Sequence, residues 1–154
     1  MMSSIYDDIG NDKMKLTQNY EHYPPYLKQS DAGAIVVISS IAAIENFFAP
    51  CAYNTMKASI INYAKHLGQQ VAPEGIRVNC VSPGPICHQD GFWEIAKRDR
   101  SELYQQTLAK IPIGRMGTPE DVANSVVFLA SSRSGFTTGT NLIVDGGMTQ
   151  GIQY

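Results

Sequence analysis

The chain has 154 residues, of which 44% are hydrophobic and 17% are charged, and its formal net charge is −2. This length predicts a single domain, and the composition is typical of a folded globular protein rather than of a disordered chain. The charge balance gives no reason to expect nucleic acid as a partner, because nucleic-acid binding usually requires a clustered basic face. No apolar run approaches the roughly 18 residues that a membrane-spanning helix needs, so no membrane partner is predicted.

The three cysteines, Cys51, Cys80 and Cys87, are odd in number and lack the spacing of metal ligands, so no metal site is predicted. Cys51 and Cys80 have apolar neighbours, and we expect both to pack as small core residues. A reduced, cytoplasmic chain is the corresponding expectation. The first eight residues contain no basic region followed by an apolar one, and this argues against a signal peptide.

The N-terminal segment divides into a polar stretch and a helix. Residues 1–10 are polar and are expected to be disordered. Residues 11–23 predict a helix that places Leu16, Tyr20 and Tyr23 on one face, and Pro24-Pro25 ends it.

Short apolar runs predict the strands of a sheet, at residues 34–38, 76–81 and 141–145. The first run is unbroken and β-branched, which is typical of strands buried on both faces in a parallel sheet. Longer helical segments separate the runs, at residues 52–71, 92–110 and 118–130. Helices that alternate with apolar strands predict an α/β layered sheet with right-handed crossovers.

Two of these helices carry additional signals. In the first, apolar residues recur at intervals of three and four and predict its core face: Met56, Ile60, Ala64, Leu67 and Val71. The segment Thr118-Pro119-Glu120-Asp121 predicts a helix start, with an N-cap threonine, proline at the first helical position and acids in the first turn.

Three polar side chains form the candidate catalytic cluster. Tyr53 and Lys57 are four residues apart in a predicted helix and therefore share a face, while Ser40 follows the first strand, thirteen residues before Tyr53. A positive charge beside a phenol favours the phenolate, so a tyrosine placed in this way can exchange a proton near neutral pH. An ordinary surface lysine on an amphipathic helix would give the same spacing. Motifs elsewhere in the chain are therefore needed to distinguish a catalytic pair from a surface lysine.

Five segments in order resemble the short-chain dehydrogenase/reductase family: residues 33–40, Tyr53-x-x-x-Lys57-Ala58, and residues 76–84, 114–123 and 138–147. The resemblance implies a partial Rossmann-like, doubly wound parallel sheet of about three strands with flanking helices. It also implies oxidation or reduction of an alcohol/carbonyl small molecule with NAD or NADP. In the family, the serine at Ser40 hydrogen-bonds the substrate oxygen and the tyrosine at Tyr53 is the general acid or base. The lysine at Lys57 favours the phenolate and binds the nicotinamide ribose.

The resemblance implies further site residues. Ser39 is an alternative to Ser40, although the spacing to Tyr53 favours Ser40. Pro83 and Gly84 would line the nicotinamide pocket, and Ile86 would pack near the carboxamide. The family also uses an asparagine in a proton relay. Asn11 lies about the right distance upstream for this role, Asn19 is a rival, and an ordinary polar helix residue remains an alternative for both.

The chain departs from the family pattern in two places. His88 stands where many members carry a threonine that contacts the cofactor, and we interpret His88 as a loop or surface residue. The family's opening strand, glycine-rich phosphate turn and helix have no counterpart, so residues 1–154 are interpreted as one truncated dinucleotide-binding-type domain whose first half is missing. The residue that normally distinguishes NAD from NADP belongs to that half.

The missing half has structural consequences. The strand at residues 34–38 would become a sheet edge, and an apolar edge favours association unless it is covered. In the family, the helices matching residues 11–23 and 52–71 meet across a two-fold axis, and the last strand and residues 147–154 often form a second contact. We therefore expect a homo-oligomer, a dimer or tetramer.

Two functional hypotheses follow from the sequence. The chain is either the catalytic half of an oxidoreductase, inactive without its first half, or a non-catalytic remnant that folds and oligomerises without cofactor. A serine hydrolase is set aside because no Gly-x-Ser-x-Gly elbow occurs. The segment 88–111 would form the substrate lid, and its aromatic residues indicate only that the substrate is not strongly anionic.

Overall fold

The structure is a computed structural model that describes residues 27–46 and 49–152. The predicted disorder of residues 1–10, the helix at 11–23 and the candidate relay residues Asn11 and Asn19 lie outside the described residues. The elements follow in chain order: β1 (Ala34–Ile38), α1 (Cys51–Val71), β2 (Arg77–Pro83), α2 (Phe92–Asp99), α3 (Ser101–Leu108), α4 (Pro119–Ala130) and β3 (Asn141–Val144).

The three strands form one parallel sheet in the order β1-β2-β3. Ala34 is paired with Arg77 at the start of β1, and Cys80 is paired with Asn141 at the start of β3. The predicted α/β sheet is therefore confirmed. Among the described residues β1 has a neighbour on one side only, so it is an edge of this sheet.

Helices cover both faces of the sheet. Ala64 and Val71 of α1 form one buried cluster with Val78 and Cys80 of β2. Successive strand residues point to opposite faces, so Arg77 faces away from α1. Its side chain reaches the end of α4, whose Leu129 is 1% exposed. Helices therefore pack against both faces of the sheet, as in other α/β layered folds.

A second buried cluster lies where the strands end. It consists of Ile41, Ile111, Met116 and Met148, with Trp93 and other partly buried residues packed against it. These residues come from segments distant in the chain, and they bring the α2–α3 region and the C-terminal segment over the end of β1.

Several predicted boundaries were wrong. The helix predicted at 92–110 is two helices, because Arg100 leaves helical geometry with φ −139 and ψ 54. No glycine or proline marks this break in the sequence. β2 begins one residue later than predicted and includes Ser82 and Pro83, because both pair with β3.

The prediction for the first turns of α1 also requires correction. Cys51 is exposed and Met56 is 66% exposed, so neither is a core residue. The buried residues of α1 are Ala64, Gly68 and Val71, and the partly buried Ile60, Ile61 and Leu67 pack against the same core. Cys80 is buried as predicted, and burial raises the pKa of its thiol.

The start of α4 has the predicted capping structure. The Asp121 amide donates to the Thr118 hydroxyl over 3.3 Å, and the Thr118 amide donates to the Asp121 carboxylate over 2.8 Å. Arg115 adds two bonds to that carboxylate, of 2.6 and 2.9 Å. These bonds, chiefly those from Arg115, hold the pKa of Asp121 well below its ordinary value.

Asp121 should therefore make stability depend on pH in the acid range. Its pKa is lower in the folded chain than in the unfolded chain, where it is about 3.9, so its contribution is present above about pH 4 and is lost as pH falls below that value. We expect the urea midpoint to fall more between pH 5 and pH 3 for the unmodified chain than for Asp121→Asn, which cannot titrate. Equal falls for the two proteins would contradict this assignment.

None of the helices among residues 27–46 and 49–152 is long and apolar enough to cross a membrane.

Candidate active site

A cavity of about 210 Å³ lies at the carboxyl ends of β1 and β2. Ligands of open α/β sheets bind at this end of the strands. Residues from most parts of the described chain line it, among them Ser40, Tyr53, Gly84, Trp93, Thr107 and Met148. Two of the residues predicted to be catalytic therefore share one cavity.

The backbone after β1 fixes the orientation of Ser40. Its side-chain oxygen accepts a hydrogen bond of 3.2 Å from the Ala42 amide and so caps the short 3-10 turn Ile41–Ala43. A hydroxyl has one proton to donate and two lone pairs that accept. Because the backbone bond uses a lone pair, the Ser40 proton remains available to a ligand in the cavity.

Tyr53 and Lys57 adjoin each other on α1, as the i, i+4 spacing predicts. The Lys57 Nζ lies 5.7 Å from the centroid of the Tyr53 ring. The same nitrogen donates a 3.2 Å hydrogen bond to the carbonyl of Ile38, the last residue of β1. The lysine charge is thus held between the strand end and the tyrosine ring, and Tyr53 is 43% exposed.

Ser39 has a different environment from its neighbour Ser40. It is 3% exposed, and its hydroxyl donates a 2.7 Å hydrogen bond to the Lys57 carbonyl. Its amide donates to the Val81 carbonyl over 2.8 Å. Ser39 therefore fastens α1 to the end of β1 and does not line the cavity, whereas Ser40 does. The sequence did not indicate this role for Ser39.

Removing the Ser39 hydroxyl should weaken this connection. We expect Ser39→Ala to lower the free energy of unfolding by about 1 kcal/mol, because a buried hydrogen bond is lost. Ser59→Ala is the matched control, since the Ser59 hydroxyl bonds the Met56 carbonyl over 2.7 Å on an exposed surface. Urea denaturation compares the two variants, and equal losses would argue against a special role for Ser39.

The loop after β2 approaches the site closely. Gly84 lines the cavity, and its amide donates to the Val144 carbonyl over 2.9 Å. A Cβ at Gly84 would lie 2.7 Å from the Cβ of Asp145, so no larger residue fits between the ends of β2 and β3.

The other predicted cofactor-binding residues lie beside this glycine. Pro83 precedes the loop as the last residue of β2, and it is half-buried. Ile86 lines a neighbouring cavity of about 180 Å³, and Pro85 lines both.

Two carboxylates hold the C-terminal segment in place. Asp145 accepts hydrogen bonds from the amide and the hydroxyl of Thr149, of 2.7 and 2.8 Å. Glu45 accepts from the Gln150 amide over 2.6 Å, across more than a hundred residues of chain. These bonds fix Met148, which is 7% exposed, as a wall of the cavity. No local sequence signal predicts this contact.

His88 is exposed and does not line the cavity, in keeping with its interpretation as a loop residue.

Comparison with known proteins places this arrangement in a family. The family model described as enoyl-(acyl carrier protein) reductase matches residues 15–149. An isoepoxydon dehydrogenase of Penicillium expansum is 40% identical over 131 residues, which are 84% of this chain and 51% of that protein. An inactive 2-(S)-hydroxypropyl-CoM dehydrogenase 2 of Xanthobacter autotrophicus is 39% identical over 118 residues, or 76% of this chain and 51% of that protein.

A solved structure with a similar fold is also that of a dehydrogenase. A short-chain dehydrogenase of Leptospira borgpetersenii with bound NAD⁺ superposes with a TM-score of 0.74 at 36% identity, covering 91% of this chain and 53% of that one. The fold is thus that of a Rossmann-like oxidoreductase. The chain belongs to the short-chain dehydrogenase/reductase family. It spans about half the length of the curated relatives it matches.

Proposed function

We propose that this chain is the catalytic half of an oxidoreductase that transfers a hydride between NAD or NADP and an alcohol/carbonyl small molecule. The observation that carries the proposal is that Ser40 and Tyr53 line one cavity while the Lys57 ammonium lies 5.7 Å from the Tyr53 ring. A relative named as a dehydrogenase and a similar structure with bound NAD⁺ support it.

The residues around the cavity suit the reactive end of a nicotinamide cofactor. Gly84 and Pro85 form part of the wall that also holds Ser40 and Tyr53. An ammonium can donate three hydrogen bonds. Lys57 donates one to the Ile38 carbonyl, so two N–H groups remain for ribose hydroxyls. Pro83 and Ile86 flank this wall and complete the cofactor-binding set. When bound in its reduced form, the nicotinamide would supply a hydride to the carbonyl carbon of the substrate.

The chain's own residues would handle the proton in this reaction. The Ser40 hydroxyl donates a hydrogen bond to the carbonyl oxygen of the substrate and fixes its direction. The Tyr53 hydroxyl donates the proton that this oxygen gains during reduction and recovers it during oxidation. The Lys57 charge stabilises the tyrosine while it lacks that proton. Asn11, if it serves as the relay residue, would return a proton from solvent.

The phosphates of the cofactor need a second structure. A dinucleotide pyrophosphate is normally held at a glycine-rich turn that opens a helix, and residues 27–46 and 49–152 contain no such turn. We therefore propose that activity requires the part of the relatives that this chain does not match, in the same polypeptide or in a second one. Alone, the chain would be inactive.

A non-catalytic remnant is the second candidate function. One relative at 39% identity is named as inactive, so similarity of this degree extends to proteins without the activity. Under either candidate we propose a homo-oligomer of two or four copies. We also propose a cytoplasmic location under either candidate, since Cys51, Cys80 and Cys87 are all free thiols.

Nucleotide binding separates the two candidates. The only tryptophan, Trp93, lines the cavity and serves as a fluorescent reporter. We expect NADH or NADPH to quench it saturably at micromolar concentration once the chain is fused to the unmatched half of a relative from which tryptophan has been removed. The chain alone should bind neither nucleotide below millimolar concentration. Absence of binding in the fusion as well would favour the remnant.

A further inference from the structure

Residues 147–151 form a strap that follows β3 and is held by side chains rather than by strand pairing. Four of its five amides donate to the carboxylates of Asp145 and Glu45 over 2.6–2.9 Å: those of Gly147, Thr149, Gln150 and Gly151. The fifth, that of Met148, makes a long bond of 3.4 Å to the Asp145 carbonyl. Among residues 27–46 and 49–152, no other backbone carbonyl accepts a bond from a strap amide.

The two carboxylates connect the strap to different parts of the chain. Asp145 lies two residues before the strap, so its bonds close a local turn. Glu45 lies 105 residues before Gln150, so its two bonds join the strap to a distant loop. In the described part of the chain, Glu45 is the only group outside 145–151 to which a strap amide donates. Glu45 is therefore the hydrogen-bonded latch of the strap.

Glu45 is itself connected to the turn that begins at Ser40. The Glu45 amide donates to the Ile41 carbonyl over 3.1 Å, and Ser40 caps the same turn through the Ala42 amide. Ile41 is 5% exposed and belongs to the same buried cluster as Met148. The latched strap therefore packs its methionine with the turn that carries a candidate catalytic residue.

Two glycines join the strap to the end of β3. Gly146 and Gly147 have φ values of 66 and 84, in the left-handed region that favours glycine. Because glycine has the widest range of backbone conformations, these residues can absorb a movement of the strap without disturbing β3. Release would also return conformational freedom to the strap, and this opposes the contacts that hold it. Segments with few such contacts open locally while the rest of a protein stays folded.

We propose that the strap opens and closes as a unit over the strand ends, with the two glycines as its hinge and Glu45 as its latch. In the closed strap Met148 is 7% exposed and lines the cavity beside Ser40 and Tyr53. Opening removes Met148 from that wall, so the strap regulates access to the candidate active site. For this consequence the inference rests on the proposed function, whereas the latch depends only on the bonds of the strap.

Oxidation of methionine by hydrogen peroxide tests whether Glu45 keeps the strap closed. Peroxide transfers one oxygen atom to an accessible thioether sulfur and leaves water, and the resulting sulfoxide is quantified by peptide mass spectrometry. Glu45→Ala removes both latch bonds from the full chain. Met148 should then be oxidised at least about tenfold faster, because one bond to a charged group contributes about that factor. Met116 is the internal control, since it is 6% exposed in the same cluster but lies outside the strap.

Two further variants separate the latch from general effects of mutation. Glu45→Gln keeps an oxygen that can accept from both amides, so its Met148 should be oxidised more slowly than that of Glu45→Ala. Glu74→Ala is the matched control, because Glu74 forms an exposed 3.0 Å ion pair with Lys28 before the start of β2. It should leave the oxidation of both methionines unchanged. An unchanged rate for Met148 in Glu45→Ala, or an equal rise for Met148 and Met116, would overturn the inference.

These results remain distinct from failure of the proposed function, because peroxide oxidation requires no nucleotide. Protection of Met148 by Glu45, without nucleotide binding in the fusion, would retain the strap and remove the oxidoreductase proposal. Saturable nucleotide binding in the fusion, with no effect of Glu45→Ala on Met148, would retain the oxidoreductase proposal and overturn the strap.

Discussion

Tyr53→Phe is expected to lower nucleotide-dependent turnover by about 10²–10⁴-fold in the fusion with the unmatched half of a relative, because the variant lacks the proton-donating hydroxyl. The phenylalanine ring retains the shape of the tyrosine beside Ser40. Nucleotide binding and oligomeric state should therefore stay close to those of the unmodified protein. Turnover is followed by the absorbance of the reduced nicotinamide.

Tyr104→Phe is the control for this change. Tyr104 packs against the cluster of Ile41, Ile111 and Met148 but does not line the cavity. Loss of its hydroxyl should leave turnover within about twofold of the unmodified level, as is usual for a change that touches no reacting group. Normal turnover in Tyr53→Phe would remove Tyr53 from the proposed role, and an equal loss in both variants would indicate general damage.

The parts of the fold that the sequence predicted depend on local patterns. The β-branched run at Ala34–Ile38 and the capping sequence at Thr118 each form the predicted element. The expected burial of β1 on both faces was wrong, because β1 is an edge of the described sheet: its residues are only half-buried, and Ile38 is 43% exposed. The i, i+4 relation of Tyr53 and Lys57 is likewise local, so a helix anywhere in the fold would bring them together.

The parts that escaped prediction depend on contacts between distant segments. Met148 lines the cavity in a segment that Asp145 holds locally and that Glu45 holds from more than a hundred residues earlier in the chain. Thr107 reaches it because the chain breaks at Arg100 and turns a second helix toward the strand ends. Neither the break nor the carboxylate contact has a periodic signal. Composition and spacing therefore predicted that Ser40, Tyr53 and Lys57 lie close together, but not the wall of the cavity beside them.

Connections inside the described chain fix the candidate catalytic geometry. Ser39 ties the Lys57 carbonyl to the end of β1, and Lys57 returns a bond to the Ile38 carbonyl. The register of β1 and β2 fixes where these residues stand relative to Gly84. Because these bonds involve no residue outside 27–46 and 49–152, the mutual placement of Ser40, Tyr53 and Lys57 can be preserved in any longer assembly.

Arg77→Met should produce the largest loss of stability among the changes considered. Arg77 lies on β2 and is 8% exposed. Its Nη1 donates to the Leu129 carbonyl and the Ser134 hydroxyl, both over 2.6 Å, and its Nη2 donates to the Ser131 carbonyl over 3.1 Å. The last carbonyls of α4 have no partners within the helix, and the guanidinium supplies them. Its charge also suits the negative end of the helix dipole.

Methionine would fill much of the volume but remove every bond from the guanidinium, and the Leu129 and Ser131 carbonyls would keep only their bonds from Ser134. A hydrogen bond that involves a charged group contributes about 1.5–3 kcal/mol, and several are lost together here, so we expect a loss of about 3–5 kcal/mol in the free energy of unfolding. The free energy of unfolding of Arg77→Lys should lie between those of the unmodified chain and Arg77→Met, because an ammonium keeps the charge but lacks the planar, multiply donating guanidinium. Arg133→Met, at an exposed arginine in the turn after α4, should change the urea midpoint little. Equal midpoints for Arg77→Met and Arg133→Met would show that the sheet and α4 are joined by packing alone.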